Sequence, residues 1–250
     1  MIKIAILNNS GNVGKTTICD NLFKHRIPNA EIIKIESINN DGTDDVKISA
    51  KDISNVLEQI AMADNTIIDV GSSNIESLMD GLKKMDDAHE DIDYFFIPTT
   101  PDHKQQDDTV QTVYDLVNSL DVEPDKIKII FNKHDSDYQL EQQYSGIFLS
   151  NIAKMLEIKT LSNQFIIDDS PVFGLINKAD STFLDALNDS NDYRTMIRST
   201  KDREERAVLS QKRTAQKMAK KFNLALDETF NKIANACQFD LDETVEEVIA

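Results

Sequence analysis

Cysteine and histidine are scarce in this 250-residue chain, and their scarcity excludes two kinds of site. The two cysteines, Cys19 and Cys237, are too few and too far apart in sequence for a disulfide framework or a zinc site. The four histidines show no metal-ligand spacing. We therefore expect each cysteine to be a small, partly buried residue without a redox role, and we assign no function to the histidines.

Long apolar runs are also missing. No stretch approaches the roughly 18 consecutive apolar residues that a membrane helix requires. The opening run Met1–Leu7 is too short for a signal peptide. The acidic tail Asp240–Glu247 argues against a membrane anchor, because membrane-surface helices are basic. We expect a cytoplasmic protein that does not bind membranes.

The net charge of -17 would by itself repel nucleic acids and anionic membranes, but the charge is unevenly distributed. The segment Arg194–Lys221 contains ten basic and three acidic residues. One interpretation is a helix that contacts DNA or docks on a partner protein. The other is a solvated helix with intrahelical ion pairs, although three acids cannot pair ten bases. Both interpretations stay open at this point.

Short apolar runs alternate with stretches of helical periodicity through the first two-thirds of the chain. Runs that are apolar on both faces, with helices between them, indicate parallel strands in a sheet covered on both sides. The sequence therefore predicts an α/β fold with a mostly parallel central sheet flanked by helices on both faces. Ligands of such sheets bind at the carboxyl ends of the strands. The predicted strands are Ile4–Leu7, Ile32–Ile35, Thr66–Ile68, Tyr94–Ile97, Lys128–Phe131 and Phe165–Ile167.

Helical segments are predicted at Thr17–His25 and Leu140–Leu156, and the pattern changes near residue 190. Residues 194–222 have few apolar positions and no proline or glycine, which predicts a long, largely solvated helix. An amphipathic stripe returns over residues 228–249. We expect a nucleotide-binding domain over residues 1–190 and a helical C-terminal extension over residues 191–250.

A glycine-rich turn lies between the first predicted strand and the first predicted helix, which is the context of a phosphate-binding loop. Two of the seven glycines in the chain lie in this turn, next to a lysine and a threonine in the right places. Backbone N–H groups would surround the phosphates, Lys15 would reach the β and γ oxygens, and the Thr16 hydroxyl would bind Mg²⁺. The predicted fold is thus that of a P-loop NTPase. The candidate nucleotide-binding residues, within Asn9–Thr17, are Gly11, Asn12, Val13, Gly14, Lys15, Thr16 and Thr17.

Asp69 ends the strand Thr66–Ile68 and is followed by Val70 and Gly71. A carboxylate in this position can bind Mg²⁺ or its water, and Gly71 could then approach a γ-phosphate. The alternative is an aspartate that caps the next helix. We predict that Thr16 and Asp69 are the metal ligands and that Lys15 and Asp69 are the catalytic residues.

These features resemble the deviant-Walker-A ATPases of the ParA/MinD type over roughly residues 1–180. Within that group the chain most resembles the StbB-type plasmid stability proteins. The resemblance implies an ATP-dependent, dimerising switch in plasmid partition, stability or conjugative transfer, with Mg²⁺ and a plasmid-encoded DNA-binding partner protein. The matching segments are Leu7–Thr17, Ile35–Asn39, Asp69 with Gly71, Phe95–Thr99 and Lys104–Gln106.

The chain also departs from that family. Ser10 occupies the position of a signature lysine that reaches the partner's nucleotide across the dimer, and Asn9 stands where the ordinary Walker A spacing has glycine. Glu36 and Ile38 replace an aspartate pair, and Ile38 cannot orient the attacking water. We therefore expect nucleotide binding with slow or partner-dependent hydrolysis, because losing such a charge costs several powers of ten in rate.

The segment Asn132–Asp135 follows a predicted strand and has two interpretations. The family resemblance implies that Asn132 contacts adenine. The NKxD spacing instead resembles the guanine-binding motif of GTPases, with Asp135 pairing to the base. ATP is therefore the expected ligand, with GTP as the alternative. Two other functions remain open: a nucleotide-binding scaffold without turnover, and a metabolic P-loop kinase or ligase, for which no small-substrate constellation is found.

Overall fold

A single parallel sheet organises the chain in the computed structural model, which describes residues 1–36, 46–49, 52–85 and 87–241. Its seven strands lie in the order β3-β2-β4-β1-β5-β6-β7, and every neighbouring pair is parallel. The predicted α/β class with its parallel sheet is confirmed. The strands are β1 (Ile2–Ile6), β2 (Ala30–Ile35), β3 (Val46–Ile48), β4 (Asn65–Val70), β5 (Tyr94–Thr99), β6 (Ile127–His134) and β7 (Phe165–Asp168).

Helices follow β1, β3, β4, β5 and β6, and each leads to the next strand, because parallel strands need crossover connections. The first α-helix is followed directly by a π-helical segment, Cys19–Phe23. The α-helices are α1 (Lys15–Ile18), α2 (Ile53–Met62), α3 (Ile75–Lys83), α4 (His103–Leu120), α5 (Leu140–Gln143), α6 (Ser145–Phe148), α7 (Ile152–Met155), α8 (Val172–Lys178), α9 (Phe183–Asn188), α10 (Tyr193–Ser199) and α11 (Arg203–Ala236).

Both faces of the sheet are buried, which explains why its strands are rich in apolar residues. Successive side chains of a strand point to opposite faces, and in β1 and the residue after it the pattern is clear. Ala5 and Leu7 join the core cluster that includes apolar side chains of α2, α3 and α4. Ile4 and Ile6 are fully buried but belong to the opposite face.

Aromatic side chains cover that opposite face. The ring of Phe23 lies 4.9 Å from that of Phe96 in β5 and 6.3 Å from that of Phe230 in α11. The ring of Phe239 packs 5.8 Å from that of Tyr94, whose hydroxyl donates a hydrogen bond to the backbone oxygen of Cys237. The residues from Phe230 to Phe239 are therefore part of the core around the sheet.

Two predicted helices differ from the observed ones. The first begins at Lys15 rather than Thr17 and continues as a π-helical segment rather than an α-helix. The segment Leu140–Leu156 is not one helix but three short ones. The first break falls at Tyr144, whose buried ring packs 4.9 Å from that of Phe131 and whose hydroxyl donates to the oxygen of Asn132. A contact distant in sequence thus outweighs the local helical preference.

The predicted helix over residues 194–222 is also wrong in its bounds. It is interrupted after Ser199, where Thr200 is extended, and α11 then runs on to Ala236. Asp202 accounts for the restart, because its carboxylate accepts a hydrogen bond from the N–H of Glu205 at 2.7 Å, as an N-capping residue does. Strand β3 and helices α8 and α9 were not predicted at all.

The chain forms two compact units. One comprises Met1–Asp168 together with the chain from Phe230 onward, and the other comprises Asp169–Thr229. Helix α11 contributes to both, since it begins in the second unit and ends in the first. The predicted division at residue 190 stays a prediction.

Both cysteines are buried and unpaired. Burial raises the pKa of the Cys237 thiol to about 12. Within the described part of the chain, no helix is long and apolar enough to cross a bilayer.

Candidate nucleotide-binding site

The glycine-rich turn lies at the carboxyl end of β1, near the centre of the sheet. Ile6 pairs with Asp69 of β4 on one side and with Phe96 of β5 on the other. In the sheet order, β4 and then β2 lie on one side of β1, and β5 and then β6 lie on the other. The chain therefore builds the sheet outwards from β1 in both directions. Such a switch point leaves a crevice at the strand ends, which is where parallel sheets bind their ligands.

Two residues of the turn adopt left-handed backbone conformations. Asn12 has φ 58°, and Gly14, at the start of α1, has φ 90°. A Cβ atom on Gly14 would lie 2.5 Å from Nδ2 of Asn132. That nitrogen donates a 2.8 Å hydrogen bond to the backbone oxygen of Val13. Only glycine can adopt this conformation and leave room for the Asn132 side chain. Asn132 of β6 therefore packs against the turn and fixes its position.

Lys15 folds back over the turn. Its Nζ donates to the backbone oxygens of Asn8 at 3.0 Å and Ser10 at 2.7 Å. Burial lowers the pKa of the Lys15 ammonium, and the negative charge of Asp69 opposes that effect. The structure thus places a nearly buried cation inside the curve of the turn, where an anionic group could meet it together with the first N–H groups of α1.

The hydroxyl of Thr16 donates a 2.7 Å hydrogen bond to Oδ2 of Asp69. Asp69 is 2% exposed, and burial raises the pKa of its carboxyl group. The hydrogen bond from Thr16 and the charge of Lys34 oppose that shift. Helix α3 follows Asn74, and no side chain caps its start. Asp69 is therefore not the cap of α3, and its carboxylate contacts Thr16 of α1 instead.

These residues fit a magnesium ion carried by a nucleotide. Mg²⁺ is usually bound through one or two protein oxygens, with phosphates and waters supplying the rest. Thr16 and Asp69 offer such a pair, and a cation would neutralise the carboxylate that burial penalises. Among the described residues there is no group of three or more His, Cys, Asp or Glu that could hold a metal without a nucleotide.

Asn8 is a central residue of the site that sequence reasoning did not single out. It is fully buried, and its Nδ2 donates to the oxygen of Pro98 at 2.9 Å and to Oγ1 of Thr109 at 2.7 Å. Its Oδ1 accepts from the N–H of Ser10 at 2.7 Å. The hydroxyl of Thr112 accepts from the N–H of Asn9 at 3.1 Å. Helix α4 thus fixes the first half of the turn.

The signal for this anchor is present in the sequence. Gln106, Thr109 and Thr112 recur at intervals of three, and all three are fully buried on the same side of α4 as Val113 and Leu116. Polar side chains on the buried face of a helix need hydrogen-bond partners. Their spacing could have predicted a polar contact between α4 and the strand ends.

Within the segment Asn132–Asp135, the side chain of Asn132 contacts the glycine-rich turn, whereas Asp135 is exposed. Asn132 is nearly buried and holds Val13. Lys133 has φ 60°, and Asp135 is exposed, with its Oδ1 accepting from the N–H of Asp137. The imidazole Nδ1 of His134 lies 2.8 Å from Oδ1 of Asp168. Recognition of adenine by Asn132, or of guanine by Asp135, stays a prediction.

Three of the four positions at which the chain departs from that family are Ser10, Glu36 and Ile38. Ser10 is 7% exposed, so its short side chain does not extend from the turn. Glu36 is half-buried beyond the end of β2, next to Gly71, whose N–H donates to Ile35 at 3.0 Å. Ile38 lies outside the described residues.

The basic segment lies in the second unit. Between Arg206 and Lys221 the chain has six basic residues and no acidic one. Ala215 and Ala219 are buried. From the 100° rotation per residue of an α-helix, the side of α11 opposite these alanines is the basic stripe, formed by Arg206, Arg213, Lys217 and Lys221.

The chain is similar to several solved structures but matches no sequence family. No protein-family model and no curated protein matches the chain. A MinD cell division protein of Aquifex aeolicus is 15% identical, with a TM-score of 0.46, over 86% of this chain and 96% of that one. A plasmid partition protein of Borrelia burgdorferi bound to AMPPNP is 14% identical, with a TM-score of 0.48, over 93% and 98%. Apo McdA of Cyanothece is 15% identical, with a TM-score of 0.46, over 92% and 99%. At identities this low, the function has to be inferred from the chemistry of this chain's own residues.

Replacing Gly14 by alanine should destabilise the protein. The left-handed conformation and the clash with Asn132 together should cost about 1–3 kcal/mol of unfolding free energy. Gly174→Ala is the matched control, because it lies inside helix α8 and its added Cβ would meet no atom within 4 Å beyond its chain neighbours and its own helix backbone. The control should be unchanged or stabilised by up to about 1 kcal/mol. Chemical denaturation measures both, and equal stabilities of the two variants would contradict the tight-turn interpretation.

Replacing Asp69 by asparagine should leave the nucleotide-free protein as stable as the wild type, or more so, at neutral pH. The pKa of Asp69 is raised from 3.8 by burial, so its contribution to stability is complete below that pH and is lost as the pH rises through the folded-state pKa. The advantage of Asp69→Asn should therefore shrink as the pH falls towards 3.8.

Denaturation of both proteins across this pH range measures the difference. The exposed Asp64→Asn variant controls for the loss of one negative charge. A strongly destabilised Asp69→Asn variant at neutral pH would show that the buried carboxylate stabilises the fold rather than weakening it.

Proposed function

We propose that this protein is a ParA-like, StbB-type switch that binds Mg-ATP, dimerises and acts in plasmid stability, partition or conjugative transfer. The observation that carries the proposal is the convergence of Lys15, Thr16 and Asp69 at one end of the sheet. A lysine, a hydroxyl and a carboxylate around a glycine turn provide what a nucleotide's phosphates and Mg²⁺ need. The plasmid process, the dimer and the DNA-binding partner protein come from the sequence resemblance.

Slow or partner-dependent hydrolysis is part of the proposal. Ser10 supports it, because a nearly buried serine carries no charge to a partner's nucleotide. Removing a cation that stabilises the transferring phosphoryl group is worth several powers of ten in rate. We assign Lys15 and Asp69 the catalytic roles, Gly11–Thr17 the phosphates, Asn132 the adenine base, and Thr16 with Asp69 the Mg²⁺.

A scaffold that binds nucleotide without hydrolysing it is the second candidate, and the same burial of Ser10 favours it. The two candidates differ only in whether phosphate is released. GTP in place of ATP is a separate alternative, favoured by the exposed carboxylate of Asp135.

Nucleotide titration tests the proposal. A fluorescent ATP analogue with Mg²⁺ should bind the wild type and be displaced by ATP better than by GTP. Lys15→Ala should weaken binding roughly 10-fold to 100-fold, because hydrogen bonds from a charged donor contribute about 1.5–3 kcal/mol. The control is Lys83→Ala, an exposed lysine of α3.

Light scattering and phosphate release complete the experiment. The mass of the wild type should double with Mg-ATP, with little phosphate released in the absence of a partner. No binding at millimolar nucleotide would contradict the proposed function. Fast unaided turnover would contradict only the slow-hydrolysis part.

We also propose DNA as a ligand of the basic stripe. Clustered lysines and arginines release counterions from the phosphate backbone on binding. With no acid between Arg206 and Lys221, the stripe has no partners of opposite charge within its own stretch of helix.

Charge reversal tests this interaction. The triple variant Arg213→Glu, Lys217→Glu and Lys221→Glu should bind duplex DNA at least about 10-fold more weakly at low salt. The salt slope should also fall by about 3, because each side chain that no longer meets a phosphate lowers it by about one. The control Lys83→Glu, Lys84→Glu and Lys159→Glu changes the net charge equally at exposed positions of the first unit. Equal affinities of the two triple variants would contradict the DNA assignment.

A further inference from the structure

A second buried lysine lies beside the candidate metal ligand. Lys34 of β2 pairs in register with Asp69 of β4. Residues in register on neighbouring parallel strands project to the same face of the sheet, and the strands are about 4.8 Å apart. Lys34 is 4% exposed and Asp69 is 2% exposed. Lys34 lies between Ile33 and Ile35, which are both buried.

Charged groups of both signs act on Asp69, the partner of Lys34. Asp69 is influenced by the positive charges of Lys34 and Lys15 and by the negative charge of Asp20. The buried thiol of Cys19 is influenced by the same Asp20, Asp69 and Lys34. Asp69 therefore interacts with two cations and with one other carboxylate. A buried ammonium group is costly unless nearby anions stabilise it, and the strand register places the Asp69 carboxylate beside Lys34.

We propose that Lys34 is a positioning residue of the nucleotide site, which holds a fixed positive charge beneath Asp69 and thereby makes nucleotide binding less dependent on Mg²⁺. This inference rests on the proposed nucleotide binding. Lys34 acts through Asp69, without contacting the nucleotide itself.

The positive charge of Lys34 acts in opposite senses on a bound cation and on a bound anion. Lys34 repels a divalent cation bound at Asp69 and attracts the phosphates of a nucleotide. Removing its charge should move two affinities in opposite directions. A lysine that only neutralises carboxylates for the sake of the fold would behave differently, since its loss would weaken the site as a whole.

The experiment uses the full chain with Lys34→Met, Lys34→Arg and the exposed Lys84→Met as control. The first measurement is the affinity of Mn²⁺ for the nucleotide-bound protein, by electron paramagnetic resonance. The second is the affinity of the fluorescent nucleotide in EDTA. In Lys34→Met, Mn²⁺ should bind about 10-fold more tightly and the nucleotide in EDTA about 10-fold more weakly. Lys34→Arg, which keeps the charge, and the control should match the wild type.

Asp20→Asn should shift the same two affinities in the directions opposite to those of Lys34→Met. It removes a negative charge from the same group, so Mn²⁺ should bind more weakly and the nucleotide in EDTA more tightly. Lys34→Gln, which also removes the charge, takes the place of Lys34→Met if that variant does not fold.

The outcomes separate this inference from the proposed function. If both affinities fall together, or if neither changes in Lys34→Met and Asp20→Asn, the role of Lys34 is overturned while nucleotide binding stands. If the wild type binds no nucleotide at all, both proposals are overturned.

Discussion

The buried carboxylate of Asp69 is the constraint on which the rest of the site depends. A charge in the interior is costly unless nearby groups stabilise it, and here the groups come from separate elements. Thr16 of α1 donates a hydrogen bond, while Lys15 of α1 and Lys34 of β2 supply positive charge. Parallel pairing of β2, β4 and β1 brings these groups together, so the sheet order itself assembles the electrostatics of the site.

The local parts of this arrangement could be predicted from the sequence. The glycine-rich turn after an apolar strand identified Lys15 and Thr16, and the aspartate at the end of another strand identified Asp69. These features depend on neighbours in the chain and on the rule that parallel strands share their carboxyl ends. The Thr16–Asp69 contact joins two of them, 53 residues apart.

The remaining parts depend on which residues become neighbours in space, and the polar spacing in α4 indicates a contact without naming its partner. The anchor of Asn8 on α4 joins residues 101 apart, and the register of Lys34 with Asp69 follows from which strands are neighbours. The break at Tyr144 is decided by its contacts with β6 rather than by helix propensity. Strand β3 has only three residues, too few to show a periodicity.

The central claim is that the turn from Gly11 to Thr17 is the cradle of a nucleotide's phosphates. Hydrogen–deuterium exchange with and without Mg-ATP tests it most directly, because it reports on the backbone N–H groups themselves. We predict slower exchange across residues 11–17, with Lys15→Ala losing that protection. Unchanged exchange in this turn, with protection by Mg-ATP elsewhere in the chain, would contradict the account.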